Sequence, residues 1–353
     1  MARSVMIMAG GTGGHVYPAL AVAHELRRRG HDVTWMGAPA SFEARVVPAQ
    51  GFAIDFIRVS GLRGKGVMTL LQAPLLLARA LLDAWRVLRA RSPAVVLGMG
   101  GFAAGPGGLV ARLRGVPLVI HEQNAAAGLT NRCLARIAQR VLEAFPRTFA
   151  RATTVGNPVR AAIRAVPAPE ARLAGRTSAP RILVVGGSQG AKALNERMAS
   201  ALALLAQKPE VRHQGGRTVD VARAAYERAD VRAEIIPFIE DMAEAFAWAD
   251  LVVCRAGAST IAELAAAGCA SVLVPFPAAV DDHQTRNAEY LVRAQAALLL
   301  PEAEFTAQRM ADLLSPLLGD RARLVRMAQA ARGCAWTGAE VTIADAVADA
   351  ARG

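Results

Sequence analysis

The feature that most constrains this 353-residue chain is a strand-length apolar run ending in a cluster of glycines, which opens each half. Residues 5–9 run into Gly10-Gly11-Thr12-Gly13-Gly14-His15, and residues 181–185 run into Gly186-Gly187-Ser188-Gln189-Gly190-Ala191. Glycines at a strand-to-helix turn let backbone N–H groups approach a phosphate at the positive end of the helix. Short apolar runs at residues 32–36, 95–99, 117–121, 233–237, 251–254 and 271–275 alternate with helical patterns, as parallel α/β units require. Residues 164–180, rich in Pro, Ala and small polar side chains, read as a linker, after which the pattern restarts. The expected class is α/β: two Rossmann-like domains, residues 1–163 and 181–336, facing across a cleft. A closing helix over 337–353 opens on the capping-box pattern Thr337-x-x-Glu340 and is expected to pack back on the first domain.

Composition narrows the function classes. The chain is 53% hydrophobic, which excludes a disordered or collagen-like protein. Its net charge of +12 is unevenly placed: residues 1–160 hold 20 Lys and Arg against 7 Asp and Glu, and the remainder is nearly neutral. A basic half suits a phosphorylated substrate or an anionic lipid surface, or reflects Arg-rich usage alone. Nucleic acid is disfavoured, because no helix-turn-helix, zinc-ligand or RNP-type signature occurs and aromatic residues are only 5%. Cys133, Cys254, Cys269 and Cys334 make no metal-type spacing and read as thiols of a reducing compartment. No run reaches the ~18 apolar residues of a spanning helix, so the expectation is a cytoplasmic protein or one lying on a membrane without crossing it. Residues 67–91 read as an amphipathic helix from near Pro74, with Leu77, Leu81, Trp85 and Leu88 on one face and Arg79, Asp83 and Arg86 on another. That helix covers a sheet or touches a membrane. Residues 61–74, with Arg63, Lys65, Met68, Leu70 and Leu71, would make the better lipid contact as an exposed loop.

The glycine loops are not a dinucleotide fingerprint. Val16 stands where a third glycine would be, and Trp35-Met36-Gly37 lacks the acidic residue a dinucleotide ribose wants, which counts against NAD. A second loop, Gly98-Met99-Gly100-Gly101, also follows a strand and would share the crevice of the first. Gly11, Gly100 and Gly101 are therefore candidates to cradle a diphosphate. His121-Glu122-Gln123-Asn124 sets four polar residues at a strand end, suited to sugar hydroxyls. In Arg255-Ala256-Gly257-Ala258-Ser259-Thr260-Ile261-Ala262-Glu263, two readings of Glu263 stand: partner of Thr260 in a capping box, or acceptor for both ribose hydroxyls.

Taken in order, GGTGGH, GGFAAGP, HEQN, GNPVR, GGSQGA, RAGASTIAE and DDHQTRNA resemble the MurG family of bacterial peptidoglycan N-acetylglucosaminyltransferases over essentially the whole chain. The resemblance implies the two-domain GT-B fold. It implies transfer of GlcNAc from UDP-GlcNAc to the C4 hydroxyl of MurNAc in undecaprenyl-diphosphoryl-MurNAc-pentapeptide, lipid I becoming lipid II. The nucleotide-sugar site implied comprises Thr12, Gly13, Gly14, Asn124, Arg160, Ser188, Phe238, Ile239, Ala258, Ser259, Thr260, Ile261, Ala262, Glu263 and Gln284. In it Ser188 and the helix after it hold the diphosphate, Phe238 and Ile239 cover uracil, Glu263 takes the ribose, and Asn124 and Gln284 address GlcNAc. The implied setting is the cytoplasmic face of the inner membrane, with an anionic lipid surface and cell-division or elongation proteins as partners. The chain departs from the family pattern at Ala104, Gly215 and the loop Asp281-Asp282-His283-Gln284, which keeps one of two common glutamines.

An inverting transfer needs a base for the acceptor hydroxyl. His15 is the first candidate and Glu122 the second, while His15 as a donor to a diphosphate oxygen is the competing role. No Asp-x-Asp pair is present, so no cofactor and no metal is expected, and leaving-group charge falls to the Ser188 loop, its helix and Arg160. The rival readings are a UDP-GlcNAc 2-epimerase and a non-catalytic UDP-sugar-binding scaffold at the membrane.

Overall fold

The computed structural model describes residues 3–59, 67–173 and 175–352; the side chains of 67–71 and of 280 lie outside the description. The chain divides into two compact units, Met1–Pro158 with Gly338–Gly353, and Val159–Thr337.

The first unit is a parallel sheet of β1 (Ser4–Met8), β2 (Asp32–Gly37), β3 (Ala53–Phe56), β4 (Val95–Gly98), β5 (Leu118–Glu122), β6 (Arg140–Glu143) and β7 (Thr153–Thr154), in the order β3-β2-β1-β4-β5-β6-β7. β4, β1 after Ser4 and β5 before His121 are continuous runs without a polar side chain because helices cover both faces, as buried parallel strands must be. Strand order reverses between β1 and β4, the switch point at which open α/β sheets place ligands. Helices α1 (Gly13–Arg28), α2 (Phe42–Ala49), α3 (Val67–Arg91) and α4 (Ala104–Leu113) supply the loops and cover. α1 opens at Gly13: Thr12 is extended at the N-cap, so Gly13, Gly14 and His15 occupy the first helical turn. α3 begins at Val67 with Pro74 inside it, so residues 67–74 are helical rather than loop; Arg63 and Lys65 lie outside the described residues.

The expected apolar face of α3 splits. Ala80, Ala84 and Leu88 are buried, whereas Leu77 and Trp85 are exposed. The helix Ala339–Ala350 buries Ile343, Ala344 and Val347 in the core of this unit, and Arg29 Nη1 donates to Asp345 Oδ1 at 2.5 Å. Its N-cap is Gly338 in the left-handed region (φ 71°), so Thr337 does not cap it as the Thr337-x-x-Glu340 pattern suggested.

The second unit repeats the plan with β8 (Arg181–Val185), β9 (Glu210–Gln214), β10 (Glu234–Ile236), β11 (Leu251–Cys254), β12 (Ser271–Leu273) and β13 (Ala297–Leu299), all parallel, in the order β10-β9-β8-β11-β12-β13. Its switch point lies between β8 and β11. Residues 164–180 are not a loose linker. They include the helix Pro169–Leu173, and buried Arg172 donates to the carbonyls of Phe246 (2.7 Å) and Ala249 (3.0 Å).

Candidate functional site

In the first unit the two glycine loops and the His121–Asn124 segment converge on His15. Gly10 N–H donates to Gly100 O at 3.3 Å, and Met99 N–H to Met8 O at 2.8 Å, joining the ends of β1 and β4. Gly101 has φ 88°, and a Cβ there would stand 2.4 Å from Gly10 O; no other residue permits this approach. Gly100 (φ 91°) leaves room for the imidazole, since a Cβ would lie 2.9 Å from His15 Nδ1. The N–H groups of Gly100 and Gly101 take no hydrogen-bond partner among the described residues. Gly13 and Gly14 present theirs at the positive end of α1. Together these make a candidate anion cradle beside a histidine.

Gly11 does not belong to that cradle. Its N–H is already given to Glu43 Oε2 at 2.9 Å, and Glu43 Oε1 accepts from Ala38 N–H at 3.1 Å. Glu43, buried in the first turn of α2, is a loop-shaping carboxylate whose role nothing in its local sequence marks.

At the end of β5 and just past it, the first three of the four polar residues are bonded within the protein. His121, Glu122 and Gln123 are buried. Glu122 Oε1 accepts from Asn124 N–H (3.0 Å) and Asn124 Nδ2 (3.2 Å), and Oε2 from Gly128 N–H (3.2 Å) and Asn131 Nδ2 (2.9 Å). Four N–H donors leave this carboxylate no lone pair facing an acceptor, so the geometry speaks against Glu122 as the base. Gln123 Oε1 lies 2.9 Å from His15 Nδ1, and its Nε2 lies 3.2 Å from His121 Nδ1. Burial pushes the His121 pKa down to about 4, so that ring stays neutral.

In the second unit Ser188 is exposed in a turn, and the helix after it, Lys192–Ala203, begins four residues later. That loop is held from beneath by Gln214 at the end of β9. Its Oε1 accepts from Gly187 N–H at 2.8 Å, and its Nε2 donates to Pro237 O at 2.8 Å, tying the Ser188 loop to the segment that carries Phe238 and Ile239. Asn195 Nδ2 donates to Gly215 O (2.9 Å) and Thr218 O (3.0 Å), and its Oδ1 accepts from His213 Nε2 at 2.9 Å. Phe238 is 62% exposed, a surface open to a flat partner.

Across the switch point, the helix Ala258–Ala267 starts directly after β11 with Gly257 as N-cap. Thr260 is therefore inside the first turn and forms no capping box with Glu263. The buried Ser259 Oγ finds no hydrogen-bond partner among the described residues, at the helix end where an anion is favoured. One turn on, Glu263 Oε1 accepts from Arg160 Nη2 at 3.0 Å. Burial raises the Glu263 pKa, and Arg160 opposes that rise. Gln284 Oε1 accepts from Ala256 N–H (3.2 Å) and Phe276 N–H (2.9 Å), so this residue shapes the loop before the helix with its carbonyl end. Sequence reading singled out these loops but not Gln214, Asn195 and Glu43, the side chains that hold them in shape.

Residues 5–143 match the glycosyltransferase family 28 N-terminal domain, and residues 181–347 match the glycosyltransferase family 28 C-terminal domain. The chain belongs to glycosyltransferase family 28. Within this family it is 58% identical to a UDP-N-acetylglucosamine--N-acetylmuramyl-(pentapeptide) pyrophosphoryl-undecaprenol N-acetylglucosamine transferase of Xanthomonas campestris pv. campestris strain 8004, over 98% of this chain and 81% of that protein. It is 51% identical to the transferase of the same name from Marinobacter nauticus, over 99% and 98% of the two chains. The crystal structure of Acinetobacter baumannii MurG superposes with a TM-score of 0.89 at 42% identity, covering 98% of this chain and 99% of that one. The calicheamicin glycosyltransferase CalG4, at 21% identity and a TM-score of 0.70 over 99% and 98% of the chains, shares the fold. Two parallel-sheet domains are what the sequence pattern required, and the family 28 match joins them in one enzyme class.

Proposed function

We infer that this family 28 enzyme transfers GlcNAc from UDP-GlcNAc to the C4 hydroxyl of MurNAc in undecaprenyl-diphosphoryl-MurNAc-pentapeptide, converting lipid I to lipid II, with His15 as the base. The observation that carries the role of His15 is its seat: the ring lies against Gly100, bonded through Nδ1 to Gln123, at the mouth of the unpaired N–H groups of the glycine loops. His15 Nε2 takes the hydroxyl proton as the acceptor oxygen attacks the anomeric carbon, and the bond from that carbon to UDP breaks with inversion. Gly13, Gly14, Gly100 and Gly101 hold the acceptor's diphosphate. Ala258, Ser259 and Thr260, at a helix N-terminus with an unpaired buried hydroxyl, hold the UDP diphosphate with Ser188, and Arg160 offsets the charge of the departing nucleotide. Glu263 takes the ribose and thereby gives up its bond to Arg160, which frees that guanidinium for phosphate. No metal is assigned to the chemistry, since this backbone and guanidinium set meets the leaving group.

The enzyme acts at the cytoplasmic face of the inner membrane, lying on it through α3 and α4. No helix of the described residues is long and apolar enough to cross a membrane. Leu75, Leu77, Leu82, Trp85, Leu109 and Leu113 are exposed on these two helices, and Arg114 stacks on the Trp85 ring at 4.8 Å. Apolar side chains among arginines suit an anionic lipid surface.

The test is transfer of labelled GlcNAc to a short-chain lipid I analogue. Transfer that continues in EDTA, and His15→Ala with kcat down about 100-fold or more and the UDP-GlcNAc KM little changed, are the expected results. Activity abolished by EDTA and restored only by a divalent ion overturns the metal-free assignment. A kcat within a few-fold of the parent overturns His15 as base.

A further inference from the structure

We propose that Gln123 and His121 are positioning residues that lock the neutral His15 ring in its Nδ1–H form, leaving Nε2 as the lone pair that faces the acceptor. This rests on the reading of His15 as base and adds to it a device that sets which nitrogen does the work.

The sense of the chain is fixed from its far end. His121 Nε2 lies 2.9 Å from the Gly156 carbonyl oxygen, which can only accept, so the proton of the neutral His121 ring is on Nε2. His121 Nδ1 is then bare and must accept. Gln123 Nε2 meets it at 3.2 Å and also lies 3.3 Å from the His121 carbonyl oxygen. Two acceptors on that side require the carboxamide NH2 there, which settles its orientation by its partners. Gln123 Oε1 is consequently turned to His15 Nδ1 at 2.9 Å, and an amide oxygen accepts only, so His15 Nδ1 carries the hydrogen. A neutral imidazole protonated on Nδ1 has its lone pair on Nε2.

The chain is sealed against competing water. His121 and Gln123 are 0% exposed. Asn157 Nδ2 donates to Gln123 O at 3.0 Å, fixing the main chain from which the carboxamide extends. The low His121 pKa of about 4, caused by burial, keeps that ring neutral and the bonds in this sense at neutral pH. On the other side the Gly100 backbone hems in the His15 ring, since even a methyl group there would stand 2.9 Å from Nδ1.

The tautomer is read by long-range 1H–15N NMR of the full-length protein labelled at histidine, alongside kinetics of three variants. The parent is expected to show His15 protonated on Nδ1 with Nε2 unprotonated. Gln123→Met, nearly isosteric but unable to accept, moves the signal toward the Nε2–H form. It lowers kcat by about tenfold or more, the scale on which orienting partners act, with the UDP-GlcNAc KM unchanged. Gln123→Glu keeps an acceptor for Nδ1–H and so retains the parent tautomer, while its second oxygen, set against His121 Nδ1 and the His121 carbonyl, lowers stability. An Nε2–H ring in the parent overturns the proposal, as does Gln123→Met with tautomer and kcat both unchanged. If the parent shows Nδ1–H while His15→Ala keeps its kcat, the positioning stands and the base assignment alone falls.

Discussion

At the scale of single residues, two carboxylates that the sequence made candidates for chemistry separate by their surroundings. Glu122 is enclosed by four N–H donors from Asn124, Gly128 and Asn131, and organises the turn after β5. Glu263 stands on a helix and, among the described residues, pairs with one guanidinium, that of Arg160, which is itself largely exposed. A carboxamide in place of Glu122 would set an NH2 against some of those same donors, so Glu122→Gln is expected to lower stability by about 1–3 kcal/mol. Chemical denaturation beside steady-state kinetics checks this. A variant of parental stability whose kcat is lost would return Glu122 to the role of base.

Glu25 offers the clearest pH dependence. Its carboxylate accepts from Arg28 Nη2 at 2.8 Å and Arg29 Nε at 2.7 Å, and these partners hold its pKa down, from 4.5 to about 2. A carboxylate whose folded pKa lies below its unfolded value contributes stability above the unfolded pKa and loses it as pH falls through the folded one. Glu25→Gln is therefore expected to be less stable than the parent at pH 7 by about 1 kcal/mol, after allowing for solvent screening of the arginines. The difference narrows as pH falls from 4.5 toward 2 in denaturation curves taken across that window. An unchanging gap would show that the loss comes from packing rather than from charge.

At the scale of elements, the helix Ala339–Ala350 shows how a segment distant in sequence completes a domain. It contributes Ile343, Ala344 and Val347 to a core otherwise built from α1 and the strands of the first sheet. Arg29 links it to the end of α1 and, through Glu25, to the preceding turn. Ile343 is fully buried, so Ile343→Ala is expected to cost about 2–5 kcal/mol of stability by lost burial and a residual cavity. The loss should appear as reduced amide protection in α1 and β4 by hydrogen exchange. Protection lost only within the C-terminal helix itself would mean that the helix rides on the domain without supporting it.

The strands that escape sequence reading are also informative. β9 reads Glu-Val-Arg-His-Gln, which lacks an apolar run because His213 and Gln214 are buried by pairing with Asn195, Tyr226 and Gly187. β3, β6 and β7 are short and carry exposed or charged residues toward the sheet edges, where one side needs no burial.

At the scale of the whole molecule, the basic excess of the first 160 residues meets exposed leucines on α3 and α4. Attraction to an anionic surface falls as salt shortens the Debye length, while apolar insertion does not. Binding to vesicles containing anionic lipid is expected to weaken several-fold between low and physiological salt. Leu113→Glu, a change at a side chain 69% exposed, is expected to weaken it further at both salt levels with the fold intact. Sedimentation with vesicles of anionic and of zwitterionic lipid measures this, and equal binding by parent and variant would move the contact elsewhere.

The sequence by itself determined the class of this protein: two α/β units, each opening on a strand and a glycine loop, and a series of motifs specific enough to place it in its family. Those features are local, since a glycine cluster between a strand and a helix dictates backbone shape whatever surrounds it. Only the tertiary structure decided which side chains work and which support. Gly11 gives its N–H to Glu43 across 32 residues, and His15 is oriented by Gln123 across 108. Hydrogen-bond partners so far apart leave no periodic or spacing signal. Chemical role here follows from which lone pairs and protons remain unpaired after folding, and that is settled only when the strands lie side by side.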